Sequence, residues 1–206
     1  MVRILAISGT PAVGKTSVAA ALKELLKAEV ISLTEFVKSR SLVDSWDKQK
    51  DTGIVDEDRL REALLKEIGS FKEKSIPWLI IEGLLADVVA DACDYAVVLR
   101  LHPRVVKARL EQRDYSESKI AENVQSEVLG TCTYHMQEAR GNDFYDIDTT
   151  GKTISDIAHL ITDLVDGRVD RKAVTPGLVD WISDPDFDLI GTFQDNTKKR
   201  EKKIRS

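Results

Sequence analysis

Eight residues, Gly9-Thr10-Pro11-Ala12-Val13-Gly14-Lys15-Thr16, constrain the fold of this chain more than any other stretch. They match GxxxxGK[ST] and stand between an apolar run and a helical pattern, the strand, loop, helix order that the motif requires. Residues 2–8 (VRILAIS) read as a short buried strand, and residues 16–28 as a helix with Val18, Ala21, Leu22, Leu25 and Leu26 at apolar positions. Glycines at 9 and 14 let the backbone curl so that successive N–H groups point inward, and Pro11 stiffens the arch. The result is an anion cradle, its phosphate contacts drawn from Ala12, Gly14, Lys15, Thr16 and Ser17. Lys15 is placed to reach the β- and γ-phosphates of a nucleoside triphosphate, and the Thr16 hydroxyl to coordinate its Mg²⁺.

A chain of 206 residues suits one α/β domain with small inserts. Further strand patterns at 29–33, 77–81, 95–101 and 144–148 alternate with helical ones, so the expected fold is three-layered, a parallel five-stranded sheet with helices on both faces. Residues 38–58 break the alternation. They are polar and mixed in charge, with Trp46 and Ile54 as their large apolar anchors, and read as an insert projecting from the sheet, suited to clamp a second substrate. An amphipathic helix over 56–71 follows, carrying Leu60, Leu64, Leu65 and Ile68.

Four residues outside the loop are candidates for its chemistry. Glu82 ends the apolar run 77–81, where a carboxylate beside a phosphate loop holds Mg²⁺ through water or positions a nucleophile. Arg109 and Arg113 lie at the end of a helix opened by Pro103 and precede a helix capped by Ser116, so both can swing over a triphosphate. Lys152, in the turn after the last strand, lies where a nucleotide base is reached in a doubly wound sheet. His102, His135 and His159 lack metal-ligand spacing. Cys93 and Cys132 form neither a CxxC pair nor a disulfide framework, which suits a reducing cytoplasm, and no apolar run approaches membrane-spanning length. A net charge of −5 argues against a wholly basic nucleic-acid binder, although residues 198–205 (KKREKKIR) make a local basic tail.

The string Arg109-Leu110-Glu111-Gln112-Arg113-Asp114-Tyr115-Ser116, then Lys119-Ile120 and Glu122 to Val128 (ENVQSEV), resembles the short lid of the adenylate kinase family that includes the human coilin-interacting nuclear ATPase and archaeal homologues. Residues 54–59 (IVDEDR) resemble the same family's monophosphate-binding insert. The likeness runs over about residues 1–165. It implies a nucleoside monophosphate kinase that moves the γ-phosphoryl of ATP to AMP with Mg²⁺, yielding ADP, together with a slower ATPase activity. It also implies a role in maturing the small ribosomal subunit through a platform ribosomal protein, with rRNA contact through the basic tail. Carried onto this chain, Lys15, Glu82, Arg109 and Arg113 are the catalytic set and Lys152 lies on the adenine side. Three positions depart from the family pattern. Ala12 replaces a common Gly, Asp114 replaces the Gly after the lid arginine, and Glu82-Gly83-Leu84 stands where relatives have Asp-x-His. The missing histidine bears on ATP hydrolysis rather than on phosphoryl transfer.

The resulting division is a core over 1–167, containing a monophosphate insert over 33–55 and a lid over 112–122, followed by a C-terminal extension over 168–206. A GTPase switch is disfavoured because no NKxD motif follows the fourth strand. The competing class is an ATP-driven assembly factor for a ribosomal protein or rRNA, in which kinase turnover is incidental.

Overall fold

The structure is a computed structural model that describes residues 2–47, 52–113, 115–170 and 174–184. The elements are β1 (Arg3–Ser8), α1 (Lys15–Leu26), β2 (Ala28–Ser32), α2 (Leu33–Ser39), β3 (Val43–Asp47), β4 (Thr52–Val55), α3 (Glu57–Lys72), β5 (Trp78–Glu82), a 3₁₀ turn (Ala86–Ala92), β6 (Tyr95–Arg100), α4 (Pro103–Glu111), α5 (Glu117–Val128), α6 (Thr131–Arg140), β7 (Tyr145–Asp148) and α7 (Ile154–Val165). Five strands form a parallel sheet in the order β2-β5-β1-β6-β7, as expected, and β3 and β4 form a separate antiparallel hairpin.

The central strands β1, β5 and β6 are buried on both faces because their alternate residues feed two cores. Leu5, Ile7, Trp78, Ile80, Val97 and Leu99 pack under α1, α4, α5 and α7, where they meet Val18, Leu22, Val106, Leu110, Val124 and Ile161. Ile4, Ala6, Leu79, Ile81, Ala96 and Val98 face the other way, onto Phe36 of α2, Leu60, Leu64 and Ile68 of α3, Val89 of the 3₁₀ turn and Met136 of α6. The parallel register aligns the carboxyl ends of the strands. Ile7 and Ser32 both pair with Glu82, Ser8 pairs with Val98, and Arg100 pairs with Asp148. The phosphate loop, Glu82, Arg100 and the turn after Asp148 therefore share one edge of the sheet, the edge at which open α/β sheets bind ligands.

Local signals place the helix ends. Ser116 accepts from Lys119 N–H at 3.3 Å, and Thr153 and Asp156 complete a reciprocal capping box at the start of α7. His102 caps α4 through its ring nitrogen ahead of Pro103.

Several expectations are corrected. The polar stretch 38–58 contains the β3–β4 hairpin, and Trp46 and Ile54 are 57% and 52% exposed rather than anchored inside. A two-stranded ribbon has too little backing to bury both of its faces. Leu25 and Leu65 are exposed because the buried stripe on each helix follows the i, i+4 rows through Val18 and Leu22 and through Leu60, Leu64 and Ile68. Val105 is exposed beside Val106 for the same reason. Helix α6 and the 3₁₀ turn add cover to the second face that the periodicity did not announce. Within the extension, residues 174–184 fold back onto the core: Val174 packs into the first core and Trp181 is 7% exposed. Asp114 and the basic tail 198–205 lie outside the described residues. Among the described residues no helix is long and apolar enough to cross a membrane.

Candidate active site

The phosphate loop adopts left-handed backbone at three positions, Gly9 (φ 142°), Ala12 (φ 73°) and Gly14 (φ 110°). At Ala12 this conformation carries a steric cost of order 1–2 kcal/mol that glycine would not incur. A side-chain carbon at Gly9 would lie 2.5 Å from the Leu99 carbonyl oxygen, so only glycine lets the loop run this close to β6. Lys15 curls back over the loop, its Nζ donating to the carbonyls of Gly9 at 2.7 Å and Thr10 at 3.1 Å. Desolvation lowers its pKa from the ordinary lysine value, with Glu82 and Glu127 opposing and Arg113 adding to the effect. The ammonium is thus held where an incoming phosphate would compensate its lost hydration.

Glu82 is buried at the end of β5, and its Oε1 accepts from the Thr16 hydroxyl at 3.3 Å. Backbone ties hold this strand end to β1: Gly83 N–H donates to Ile7 O at 3.1 Å, and the Ser8 hydroxyl donates to Leu84 O at 3.1 Å. The structure thus brings Lys15, Thr16 and Glu82 together. Arg109, in the last turn of α4, donates from Nη1 to the Ala12 carbonyl at 2.9 Å and so reaches over the loop. Arg113 is exposed in the turn after α4, close enough to lower the Lys15 pKa but not docked on the loop as Arg109 is. Ser17 is exposed on the first turn of α1.

Lys152 is exposed, and its Nζ donates to the Asp148 carbonyl at 2.7 Å, which closes the turn between β7 and α7. Ile154, at the start of α7, comes close to the loop. A side-chain carbon at Gly14 would lie 3.7 Å from Ile154 Cδ1 and 3.9 Å from Arg109 Nη1, so these two side chains flank the mouth of the cradle. Ile154 was not singled out in the sequence, where it is one more apolar residue at the start of an amphipathic helix.

A cavity of about 350 Å³ opens at Leu84 and Leu85, in the stretch that follows β5. Leu33 and Val37 of α2, Val43 and Trp46 of β3 and Leu84 form its apolar walls, while Lys38 and Lys119 bring cations to it. Asp44 braces the hairpin by accepting from the Asp56 N–H at 2.9 Å and pairing with Arg59, so the cavity wall is tied to the start of α3. Leu84 is 46% exposed and lines this cavity.

The loop also has a partner that the sequence reading missed. The Thr10 hydroxyl donates to Glu127 Oε2 at 2.6 Å, and Glu127 is 1% exposed on α5. A signal for it was present: Ile120, Val124, Glu127 and Val128 share one helical stripe, and a carboxylate on an apolar stripe requires buried partners. Both cysteines are buried, and desolvation pushes their thiols up, to about 12 at Cys93 and about 11 at Cys132. Among the described residues no group of three or more His, Cys, Asp or Glu could hold a metal ion by itself.

The chain is similar to several known proteins. A family profile described as an AAA domain matches residues 5–130. A Methanocaldococcus jannaschii protein named "Putative adenylate kinase" is 37% identical over 177 residues, covering 86% of this chain and 92% of that protein. A protein of the same name from Methanothermobacter thermautotrophicus is 35% identical over 178 residues, covering 86% of this chain and 96% of that protein. Among solved structures, shikimate kinase from Acinetobacter baumannii superposes with a TM-score of 0.56 at 16% identity, over 81% of this chain and 94% of that one, a likeness of fold.

Proposed function

The chain belongs to the adenylate kinase-like family of AAA-domain P-loop proteins that these archaeal relatives represent, and from that premise we propose that it transfers the γ-phosphoryl group of ATP to AMP, giving two ADP. The observation that carries this reading is the cavity at Leu84. A phosphate loop alone serves any nucleotide-driven machine, whereas a cavity of mononucleotide size walled by Leu84, two residues beyond Glu82, supports a dedicated acceptor site.

In this reading the loop amides and Lys15 hold the triphosphate, and the positive end of α1 faces it. The Thr16 hydroxyl and the Glu82 carboxylate are hard oxygen donors, and two such donors suit Mg²⁺, a cation that keeps several waters and shares phosphate oxygens. Bound there, Mg²⁺ would neutralise charge on the β- and γ-phosphates. Arg109 is already positioned over the loop, and Arg113, exposed just beyond α4, lies near enough to Lys15 to add charge at the same phosphates. Lys152 and Ile154 border the base side. In the acceptor cavity Trp46 offers an aromatic face to a base, and Lys38 and Lys119 offer cations to a monophosphate. Catalysis then rests on alignment, charge neutralisation and exclusion of water. The division into a core with a 33–55 insert and a 112–122 lid follows from the same reading, and two buried free thiols support a reducing, cytoplasmic setting.

The test is phosphoryl-transfer stoichiometry with Mg-ATP, with and without AMP, on the full chain and on Lys15→Ala and Arg113→Ala. The expected result is ADP at two per AMP consumed, lost in both variants. If AMP leaves the rate unchanged and only slow phosphate release remains, the kinase reading fails. The assembly-ATPase reading then takes its place, with a small-subunit ribosomal protein or rRNA as partner. That reading is supported by the family resemblance and the basic run 198–205, whereas Leu84 in place of the histidine weakens its hydrolytic step.

A further inference from the structure

One buried carboxylate is shared between the phosphate loop and the C-terminal segment. Glu127 Oε2 accepts from the Thr10 hydroxyl at 2.6 Å. Its Oε1 accepts from Arg100 Nε at 2.8 Å, from Leu101 N–H at 3.2 Å and from the Trp181 indole N–H at 3.1 Å. Arg100 cannot satisfy this carboxylate alone. It also donates to the Glu127 carbonyl at 2.7 Å and to the Thr133 hydroxyl at 3.1 Å, and it lies 3.6 Å from Asp146 Oδ2, so one guanidinium serves two buried carboxylates. The neutral donors Thr10, Leu101 and Trp181 supply the remaining stabilisation, and losing any of them leaves charge undercompensated in a dry site.

Trp181 comes from residues 174–184, beyond the last core helix. Its ring packs edge-on against His102 at 5.3 Å, and His102 Nε2 lies 3.4 Å from Asp184 Oδ2. The segment also walls an open cleft of about 380 Å³, apolar at Leu160, Val174, Leu178 and Trp181 and polar at Asp148, Lys152 and Asp180. Leu178 is exposed at this cleft whereas Trp181 is buried, and the Trp181 indole ties the segment to the carboxylate that holds Thr10.

We propose that Trp181 is a positioning residue for the phosphate loop: with residues 174–184 seated, its indole N–H orients the Glu127 carboxylate that holds Thr10, so this segment tunes triphosphate binding from outside the site. The proposal rests on the reading of the loop as the ATP site, and the Lys15→Ala variant tests that premise separately. Binding is measured in place of turnover, so the identity of the acceptor does not enter.

The experiment is calorimetric titration of the full chain with Mg-ATP for wild type, Trp181→Phe, Thr10→Val and the double variant. Phenylalanine keeps the ring against His102 and removes only the donor. Trp181→Phe is expected to weaken binding roughly fivefold, part of the value of one hydrogen bond to a charged group. The double variant is expected to bind no worse than the weaker single variant, because both act through Glu127. The chain has three tryptophans, Trp46, Trp78 and Trp181, so its proton NMR spectrum should show three indole N–H resonances. The Trp181 signal, assigned by elimination with Trp46→Phe and Trp78→Phe, is expected to shift on addition of Mg-ATP, a readout that does not require Trp181→Phe to fold. Unchanged affinity in Trp181→Phe, fully additive losses in the double variant, or a Trp181 resonance indifferent to ATP would each overturn the proposal. If wild type and Lys15→Ala both fail to bind ATP, the premise falls instead.

Discussion

Replacing Gly9 by alanine puts a methyl group where the structure has no room for one. The new carbon would lie 2.5 Å from the Leu99 carbonyl oxygen and 3.0 Å from Val13 Cγ2. Val13 can rotate, but the carbonyl belongs to β6, a strand paired on both sides within the sheet, and it cannot. Gly9 also has φ 142°, outside the range that alanine adopts without strain. Backbone strain of about 1–3 kcal/mol and overpacking of about 1–3 kcal/mol together predict a loss of roughly 4 kcal/mol. At about 2–4 °C per kcal/mol for a chain of this size, the melting temperature should fall by roughly 8–16 °C. Gly69 is the matched control. It lies in α3, has ordinary helical backbone and open space around it, so Gly69→Ala should stabilise by about 0.5–1 kcal/mol. Scanning calorimetry of both variants, with Mg-ATP titration of Gly9→Ala below its transition, reads the two effects. ATP binding should be lost in the folded Gly9→Ala protein, because relief of the clash displaces the loop amides. If Gly9→Ala melts within 2 °C of wild type and binds ATP normally, the close approach of loop to β6 is refuted.

Three further outcomes are expected. Burial pushes the Asp146 carboxyl up to about 6, against the opposing pull of Arg100, the Gly177 N–H and the Thr133 hydroxyl. A raised carboxyl pKa means that the folded state holds its proton more tightly than the unfolded state, so the stability it confers is present below pH 4 and falls as pH rises to about 6. Denaturant unfolding of wild type against Asp146→Asn should show that difference shrinking by up to about 3 kcal/mol across the window, and a pH-independent difference would contradict it. Cys93 and Cys132, buried and with thiols pushed up to about 12 and about 11, should resist alkylation at pH 8 in the native protein and both react after denaturation. Rapid native labelling of either would show that the second core opens. Arg109→Ala should weaken ATP binding about tenfold while leaving the melting temperature within about 2 °C, because its one docked bond is to the Ala12 carbonyl at the loop rim. A large fall in melting temperature would instead make Arg109 a structural strut.

Much of this architecture was legible because it is encoded in short windows. The phosphate loop is contiguous, and the central strands β1, β5 and β6 announce themselves as apolar runs because both faces are covered. Glu82 was recognisable from its position at a strand end, and the parallel register then placed it across from Ile7 and within reach of Thr16. The hairpin β3–β4 was less legible, since Val43, Trp46 and Ile54 look like core residues in composition and are exposed in fact. An exposed apolar residue is explained only by what surrounds it, here the rim of a cavity assembled from α2, the hairpin and the loop after Glu82. Lys152 was placed correctly at the turn after β7, but Ile154 is what the fold brings to Gly14.

The amino-acid sequence by itself determined the anion loop and the class of fold, because these rest on local backbone requirements and on hydrophobic periodicity, while the family is shown by likeness to its relatives. Only the tertiary structure decided which charged residues are buried together. Thr10 meets Glu127 across 117 positions, and Glu127 meets Trp181 across 54. No local pattern specifies such a meeting. It follows from sheet order, from the helix that covers each face, and from the cost of leaving a charge unpaired in a dry interior, which makes the chain bring its distant donors to one carboxylate.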